Sequence, residues 1–359
     1  MNTKTILVML IPFFSLFSCK AYSNLSVDEF EKGLSDDVSI QLVDVRTPQE
    51  YAEGHLALAS NIDWKASGFL EKAVAALDPS RPVFVYCRSG RRSAEAAKSL
   101  QRKGYKVSNM LGGYLAWTQA GKPFTKYEVE RFLTDGGLPV DITLIKHGSL
   151  EIHYKGLSIQ VDPVGEYGRH TDYAVEFPKA NYILVTHEHP DHLDDATITT
   201  LSGEKTRLIL NQKSRDMIGC GDVIENGQKR IFPTGAPRPE SSVFPEDIIL
   251  EAVPAYNTTP GREKFHPKGN GNGYVLTMDG LRIYIAGDTE DVPEMAELKD
   301  IDVAFLPVNQ PFTMTTEQCI RAAKVIGPRV LIPYHYSKTD IGGIPSALPG
   351  IDVRIRQMQ

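Results

Sequence analysis

Short apolar runs alternate with amphipathic stretches through the first third of the chain. Ile40–Val45 (Ile-Gln-Leu-Val-Asp-Val) and Val83–Tyr86 (Val-Phe-Val-Tyr) have the length and β-branched, aromatic content of buried strands. A helix start follows the first run: Thr47 as N-cap, Pro48 at the first helical position and Glu50 completing a capping box, with Gly54 as the stop. The second run enters the loop Cys87-Arg88-Ser89-Gly90-Arg91-Arg92, and a helix is predicted over Ser93–Lys103 with Gly104 just past its end. Strand, tight loop and helix in that order make a βα unit of a parallel sheet.

The pattern changes after Phe124. Lys126–Asp135 is polar with periodic apolar positions and predicts a short helix, broken by Gly136-Gly137. This places a first domain at 25–124, a linker at 125–140 and a second domain at 141–359. The second domain opens on strands. Leu150–Tyr154 and Leu157–Val161 flank Lys155-Gly156 as a hairpin, and Tyr274–Met278 and Leu281–Ala286 flank Asp279-Gly280 as another. Tyr182–Val185 and Leu250–Ala255 read as further strands, and Thr315 to Gln318 forms a capping box. Gly269–Gly273 reads as a flexible loop; it precedes a strand, so no helix dipole serves an anion there. The fold class is α/β in both halves.

Composition agrees with two globular domains. Of 359 residues 42% are hydrophobic and 23% charged, which excludes a disordered chain and a polytopic membrane protein. Lys and Arg number 39 against 45 Asp and Glu, a net charge of −6, so there is no basic surplus for a nucleic-acid partner. The N-terminus stands apart. Lys4 precedes an apolar run from Ile6 to Phe17, too short to span a bilayer but suited to a signal peptide. It ends in Leu16-Phe17-Ser18-Cys19, which resembles a bacterial lipobox over residues 1–19. The resemblance implies an exported lipoprotein anchored through Cys19, facing the periplasm or cell surface and touching the membrane only through its lipid. A plain secretory signal and an uncleaved anchor are the other readings. Four cysteines are too few for a disulfide framework; beyond Cys19 and Cys87, Cys220 and Cys319 read as structural core residues.

The Cys87 loop carries chemistry. A cysteine at a strand's end, before a helix N-terminus, meets converging backbone N–H groups that stabilise an anion. Arg88, Arg91 and Arg92 add positive charge, and Gly90 lets the backbone turn around the sulfur. Together with Val43-Asp44-Val45-Arg46, Glu50-Tyr51, Gly54-His55 and Leu111-Gly112-Gly113-Tyr114-Leu115-Ala116-Trp117, this region resembles a rhodanese domain, a parallel sheet flanked by helices. The resemblance implies sulfurtransferase activity: Cys87 carries a persulfide cradled by Arg88, Ser89, Gly90, Arg91 and Arg92. Arg92 holds the outer sulfur's charge or orients a donor anion. A sulfur donor and acceptor are then partners. A rhodanese-like binding module without catalysis is the alternative.

Thr186-His187-Glu188-His189-Pro190-Asp191-His192 packs three of the chain's nine histidines and a carboxylate onto a loop leaving a strand. Such a loop can ligate two metals from two sides. Asp288 and His335 each follow a strand directly, as α/β enzymes place such residues. His147, Asp162 and His266 are further candidates. This set resembles the metallo-β-lactamase fold, an αββα sandwich, and most closely the metal-dependent hydrolases that include ascorbate-6-phosphate lactonase, on His147-Gly148-Ser149, Asp162-Pro163, Gly287-Asp288-Thr289 and Pro333-Tyr334-His335. It implies one metal on His187 and His189 and another on Asp191, His192 and His335, with Asp288 between them. Two zinc ions per chain are expected, manganese or iron being alternatives. Asp191 counts among the catalytic residues, and a bridging hydroxide would attack a carbonyl or phosphoryl centre of a small-molecule substrate.

One position departs from that family. Its histidine after the strand at Leu250–Ala255 is replaced by Asn257 in Tyr256-Asn257-Thr258-Thr259. His266 can reach back as the substitute ligand; a substrate contact or a solvated loop residue are the alternatives, and with the place unfilled a single-metal enzyme follows. The leading reading is a metal-dependent hydrolase fused to a rhodanese domain. An iron persulfide dioxygenase fused to a sulfurtransferase and a non-catalytic surface-tethered binding protein are the alternatives.

Overall fold

The computed structural model describes residues 22–235, 244 and 246–358. The expected signal segment, 1–19, with Cys19, lies outside them. The chain divides into two compact units, 1–126 and 127–359.

The first unit is a five-stranded parallel sheet ordered Ser23–Leu25, Val107–Met110, Val83–Tyr86, Gln41–Asp44 and Ser60–Asn61. Its central strand Val83–Tyr86 is buried throughout, which is why it is uniformly apolar rather than alternating. The expected helix start at Thr47 is present: its hydroxyl accepts from Glu50 N, and the Glu50 carboxylate accepts from Thr47 N. The later helix spans Arg91–Arg102 and starts two residues before the expected Ser93, because Gly90 in the left-handed region (φ 86°) caps it. Arg91 and Arg92 therefore belong to a helical turn, not to the loop. Asp44 and Arg46 form a buried ion pair, 2.6 Å from Nη2 to Oδ2, and Arg46 Nη2 also donates to Gly54 O. The hydrogen bonds meet the desolvation cost of two charges placed this deep.

The second unit is a sandwich of two seven-stranded sheets. One runs Asp222–Val223, Arg207–Leu210, Tyr182–Leu184, Leu157–Val161, Ser149–Tyr154, Pro139–Lys146 and Glu128–Leu133; the other follows chain order from Lys229–Phe232 to Asp352–Val353. Their inner faces share one core that includes Ile152, Leu184, Leu250, Tyr274, Phe305 and Ile332. Helix Asp195–Leu201 covers the outer face of the first sheet and helix Thr316–Ile326, with its Thr315–Gln318 capping box, that of the second. No described helix is long and apolar enough to cross a membrane.

Four sequence expectations change here. Lys126–Asp135 is not a helix: Glu128–Leu133 is a strand paired antiparallel with Pro139–Leu144, and Gly136-Gly137 lies in the turn between them. The segment 125–140 thus begins a sheet and is not a linker. Its buried Glu130 is met by Arg354 and Arg356, more than two hundred residues away, so no local pattern could reveal it. Gly271–Gly273 is the buried start of the strand Gly271–Met278, not a flexible loop. A Cβ at Gly271 would stand 2.9 Å from Ala255 O, so close strand packing explains the glycine. Cys319 is buried as expected, its thiol pushed up to about 12 by burial, but Cys220 is exposed.

Candidate functional site

Cys87 leaves the strand Val83–Tyr86 and is 1% exposed. Its carbonyl accepts from Tyr114 N at 2.8 Å, and a Cβ at Gly113 would collide with that carbonyl, so the Gly112-Gly113 turn closes tightly on the loop. Burial works to raise the thiol pKa. Hydrogen bonds from the Ser93 hydroxyl (3.4 Å) and from Ser93, Ser89 and Gly90 backbone N–H groups outweigh it, and the thiol lies below its ordinary range. The arginines divide, and Arg92 interacts with the Cys87 sulfur as well as with Glu50. Arg88 and Arg91 are exposed, and Arg92 makes two hydrogen bonds to Glu50, at 2.7 and 2.6 Å. Arg92 holds the Glu50 carboxyl down at about 2, against the cost of burial. Ser93 and Glu50 are loop supports whose roles sequence reasoning missed; Glu50 was visible as a helix cap and in the Glu50-Tyr51 pair, not as the partner of Arg92.

The second cluster collects at one end of both sheets. His187 to His192 follow the strand Tyr182–Leu184, Asp288 follows Leu281–Ile285, His335 follows Val330–Tyr334, and His147 sits in the turn between Pro139–Lys146 and Ser149–Tyr154. Three groups of side chains have ligand atoms within 4.8 Å of one another: His187, His189 and His266; His147, Asp191, His192 and His335; and His187, His192 and Asp288. Asp288 faces two ways. Its Oδ2 lies 3.2 Å from His266 Nε2 and 3.9 Å from His187 Nε2, and its Oδ1 lies 3.3 Å from both His192 Nε2 and His335 Nε2. Asp191 Oδ2 lies 3.2 Å from His147 Nε2 and 3.3 Å from His335 Nε2. His147 therefore stands within the second group.

These side chains fit metal ions. His192 Nε2, His266 Nε2, Asp288 Oδ1 and both ring nitrogens of His335 are buried without a hydrogen-bond partner, an arrangement that costs free energy unless a cation meets them. The charges agree. Burial holds His187 well below the ordinary histidine range. Against burial, Asp288 and Asp162 draw a proton onto His192 and lift it well above that range. Burial also opposes the Asp288 charge, but His335 and His192 outweigh it and keep the carboxyl ionised. The carboxylates that draw this charge onto His192 also stabilise a metal cation in the same place. Strain collects here too: His147, Asp162 and His335 are non-glycine residues in the left-handed region, at φ 45°, 45° and 49°.

Asp162 lies behind the cluster. Its carboxylate accepts from His192 Nδ1 (2.7 Å), Thr186 Oγ1 (2.7 Å) and Thr186 N (2.7 Å). This turns His192 Nε2 toward Asp288. Asp162→Asn should lower metal affinity about 10–100-fold with the fold intact; chelator competition measures the affinity and circular dichroism the fold. Glu188 is a buried carboxylate that the pattern did not single out, fixed by Lys213 (2.5 Å) and Asn270 (2.8 Å). Asn257 holds the loop rather than facing the cluster. Its Nδ2 donates to Phe312 O (2.7 Å) and Arg262 O (3.2 Å), and its N donates to His266 O (2.9 Å). His266 Nδ1 lies 3.1 Å from the same Phe312 carbonyl, which leaves Nε2 aimed at Asp288. Lys268 is bound to Glu294 at 2.8 Å.

An αββα sandwich with histidines and aspartates gathered at its strand ends is the metallo-β-lactamase fold. The β-lactamase superfamily domain model matches residues 141–335, and the rhodanese-like domain model matches 26–120. The chain belongs to the β-lactamase superfamily, as a metal-dependent hydrolase that also carries a rhodanese-like domain. It is 29% identical to a UPF0173 metal-dependent hydrolase of Ligilactobacillus salivarius over 199 residues, 55% of this chain and 84% of the relative. With a UPF0173 metal-dependent hydrolase of Pyrococcus furiosus it shares 33% identity over 167 residues, 45% of this chain and 69% of the relative. The crystal structure of a Parabacteroides distasonis protein assigned as a metal-dependent hydrolase is 51% identical, covering 65% of this chain and all of that one, with a TM-score of 0.59.

Proposed function

We propose that the C-terminal unit hydrolyses a small-molecule carbonyl or phosphoryl substrate with two zinc ions. His187, His189 and His266 would hold one, and Asp191, His192 and His335, with His147 beside them, the other. The observation that carries this reading is the convergence of unpartnered buried ligand atoms on the two oxygens of Asp288. Bound there, the metals supply Lewis acidity, bringing water's pKa toward neutral and polarising the scissile group. The chain's own groups do the rest. Asp288 holds the two histidine groups in register, Asp162 fixes the orientation of His192, and Phe312 O fixes that of His266. His147-Gly148-Ser149 and Gly287-Asp288-Thr289 favour the lactonase-like branch, so lactones come first among test substrates. Purified protein should contain about two zinc ions per chain by mass spectrometry. One iron per chain, with oxygen uptake on glutathione persulfide, would overturn the two-zinc reading in favour of a persulfide dioxygenase.

The N-terminal unit is a sulfurtransferase in the same proposal. The Cys87 thiolate attacks the outer sulfur of thiosulfate, the S–S bond breaks, and sulfite leaves with the electron pair. Cyanide then removes the sulfur as thiocyanate and restores the thiolate. The depressed Cys87 thiol in its backbone cradle supports this. The lipobox-like segment supports export and a lipid on Cys19. Cys19→Ser should abolish fatty-acid labelling and release the chain from membranes; labelling that persists would sink the anchor.

A further inference from the structure

The histidine and aspartate cluster is buried, yet residues with exposed aromatic rings border it. Tyr167 is 44% exposed, with its ring 4.8 Å from that of His147, and its hydroxyl lies within electrostatic reach of Asp191, His192 and Asp288. An exposed ring over a buried cluster stands on the cluster's solvent side. The loop that carries it, 162–172, is pinned. Lys146, itself 2% exposed, donates to Gly165 O at 2.7 Å and Arg169 O at 2.6 Å, and Gly165 N donates to Asp194 at 2.9 Å. At the His266 end stands Phe312, 43% exposed, whose carbonyl holds His266 and whose ring meets Phe265 edge-on at 5.2 Å. Small-molecule sites combine apolar walls with a few converging polar groups, and these rings supply such walls.

Three cations on the surrounding loops are engaged. Arg262 pairs with Glu290, Lys268 with Glu294 and Lys213 with Glu188. A phosphate group would have to break one of these pairs to be bound by Arg262, Lys268 or Lys213. We infer that the site takes a carboxylic ester or lactone with an apolar chain or ring beside the scissile bond, packed between Tyr167 and Phe312, rather than a sugar phosphate. The inference rests on the hydrolase reading above. In the reaction water adds to the acyl carbon, the bond to the leaving oxygen breaks, and the proton lost by water ends on that oxygen.

The test uses the full zinc-loaded chain with p-nitrophenyl acetate, octanoate and phosphate. We expect kcat/KM for the octanoate ester to exceed that for the acetate by about tenfold or more, since the longer chain buries further methylenes. The phosphate should be the poorest of the three. Tyr167→Ser and Phe312→Ser should each pull the octanoate-to-acetate ratio toward one, with wild-type metal content. Equal efficiency for the two esters, a ratio that survives both substitutions, or a preference for the phosphate would overturn the inference. Calorimetry with sodium octanoate and sodium acetate reads the apolar wall without turnover. Tighter octanoate binding that is lost in the variants supports the wall even where no ester is cleaved, and the ester-hydrolase reading then fails by itself. Equal affinities for the two acids overturn the wall.

Discussion

Asp288→Ala should remove hydrolysis by the C-terminal unit, with kcat/KM falling about 10³-fold or more, a loss of about 4 kcal/mol in transition-state stabilisation. The geometry sets the size of this effect. Asp288 is 4% exposed, and each of its oxygens serves a different histidine group. Removing it leaves His266 and His192 with no carboxylate shared between their groups, so metal held by both groups should be weakened at once. Asp288→Asn is the stricter variant. It keeps the volume but turns one oxygen into an N–H₂ donor facing histidine nitrogens, and nearly the same loss is expected. Metal content by mass spectrometry should fall in parallel, with circular dichroism unchanged. An Asp288→Ala protein with full metal and full activity would show that the cluster is not the reaction centre.

Cys87→Ser should reduce thiosulfate-to-cyanide transfer by about 10³-fold or more, because a serine hydroxyl can neither ionise at neutral pH nor carry a sulfane sulfur. The cradle makes a further claim about pH. Hydrogen bonds from Ser93, Ser89 and Gly90 outweigh burial and hold the Cys87 thiol below its ordinary range. The thiolate therefore persists where a free thiol has already taken a proton. Transfer should hold as pH falls through that range and decline only in more acidic solution. Ser93→Ala removes the hydroxyl donor, raises the thiol pKa and should move the acid-side decline to higher pH. An unmoved decline in the pH profile of thiol alkylation would show that Ser93 does not set the thiolate.

The roles of Arg92 and Asp288 show how far a pattern reaches. The Cys87 loop is readable because strand end, glycine and helix start lie within a few residues of one another. Arg92 belongs to that pattern, but its partner Glu50 is 42 residues away, and no local spacing joins the two. His187, His189, Asp191 and His192 are readable because their spacing brings them to one loop without help from the rest of the chain. His266 lies within reach of the place that Asn257 takes, but its aim depends on the Phe312 carbonyl, 46 residues further on.

The sequence by itself determined the α/β class, the two units, the capped helices, the Asp279-Gly280 hairpin and the two chemical loops. Each depends on backbone preferences and side-chain spacing over a few residues. Asp279 and Gly280, for example, both adopt the positive φ that a tight hairpin demands. Only the tertiary structure decided that Glu128–Leu133 is a strand, since Arg354 and Arg356 make its buried Glu130 tolerable. Only it brought His147 beside His335, with ring centroids 3.7 Å apart, and turned the two oxygens of Asp288 toward different histidines. Strand pairing and the facing of two sheets set these distances. They are fixed by burial of a shared core whose residues are scattered over more than two hundred positions, so no window of sequence contains them.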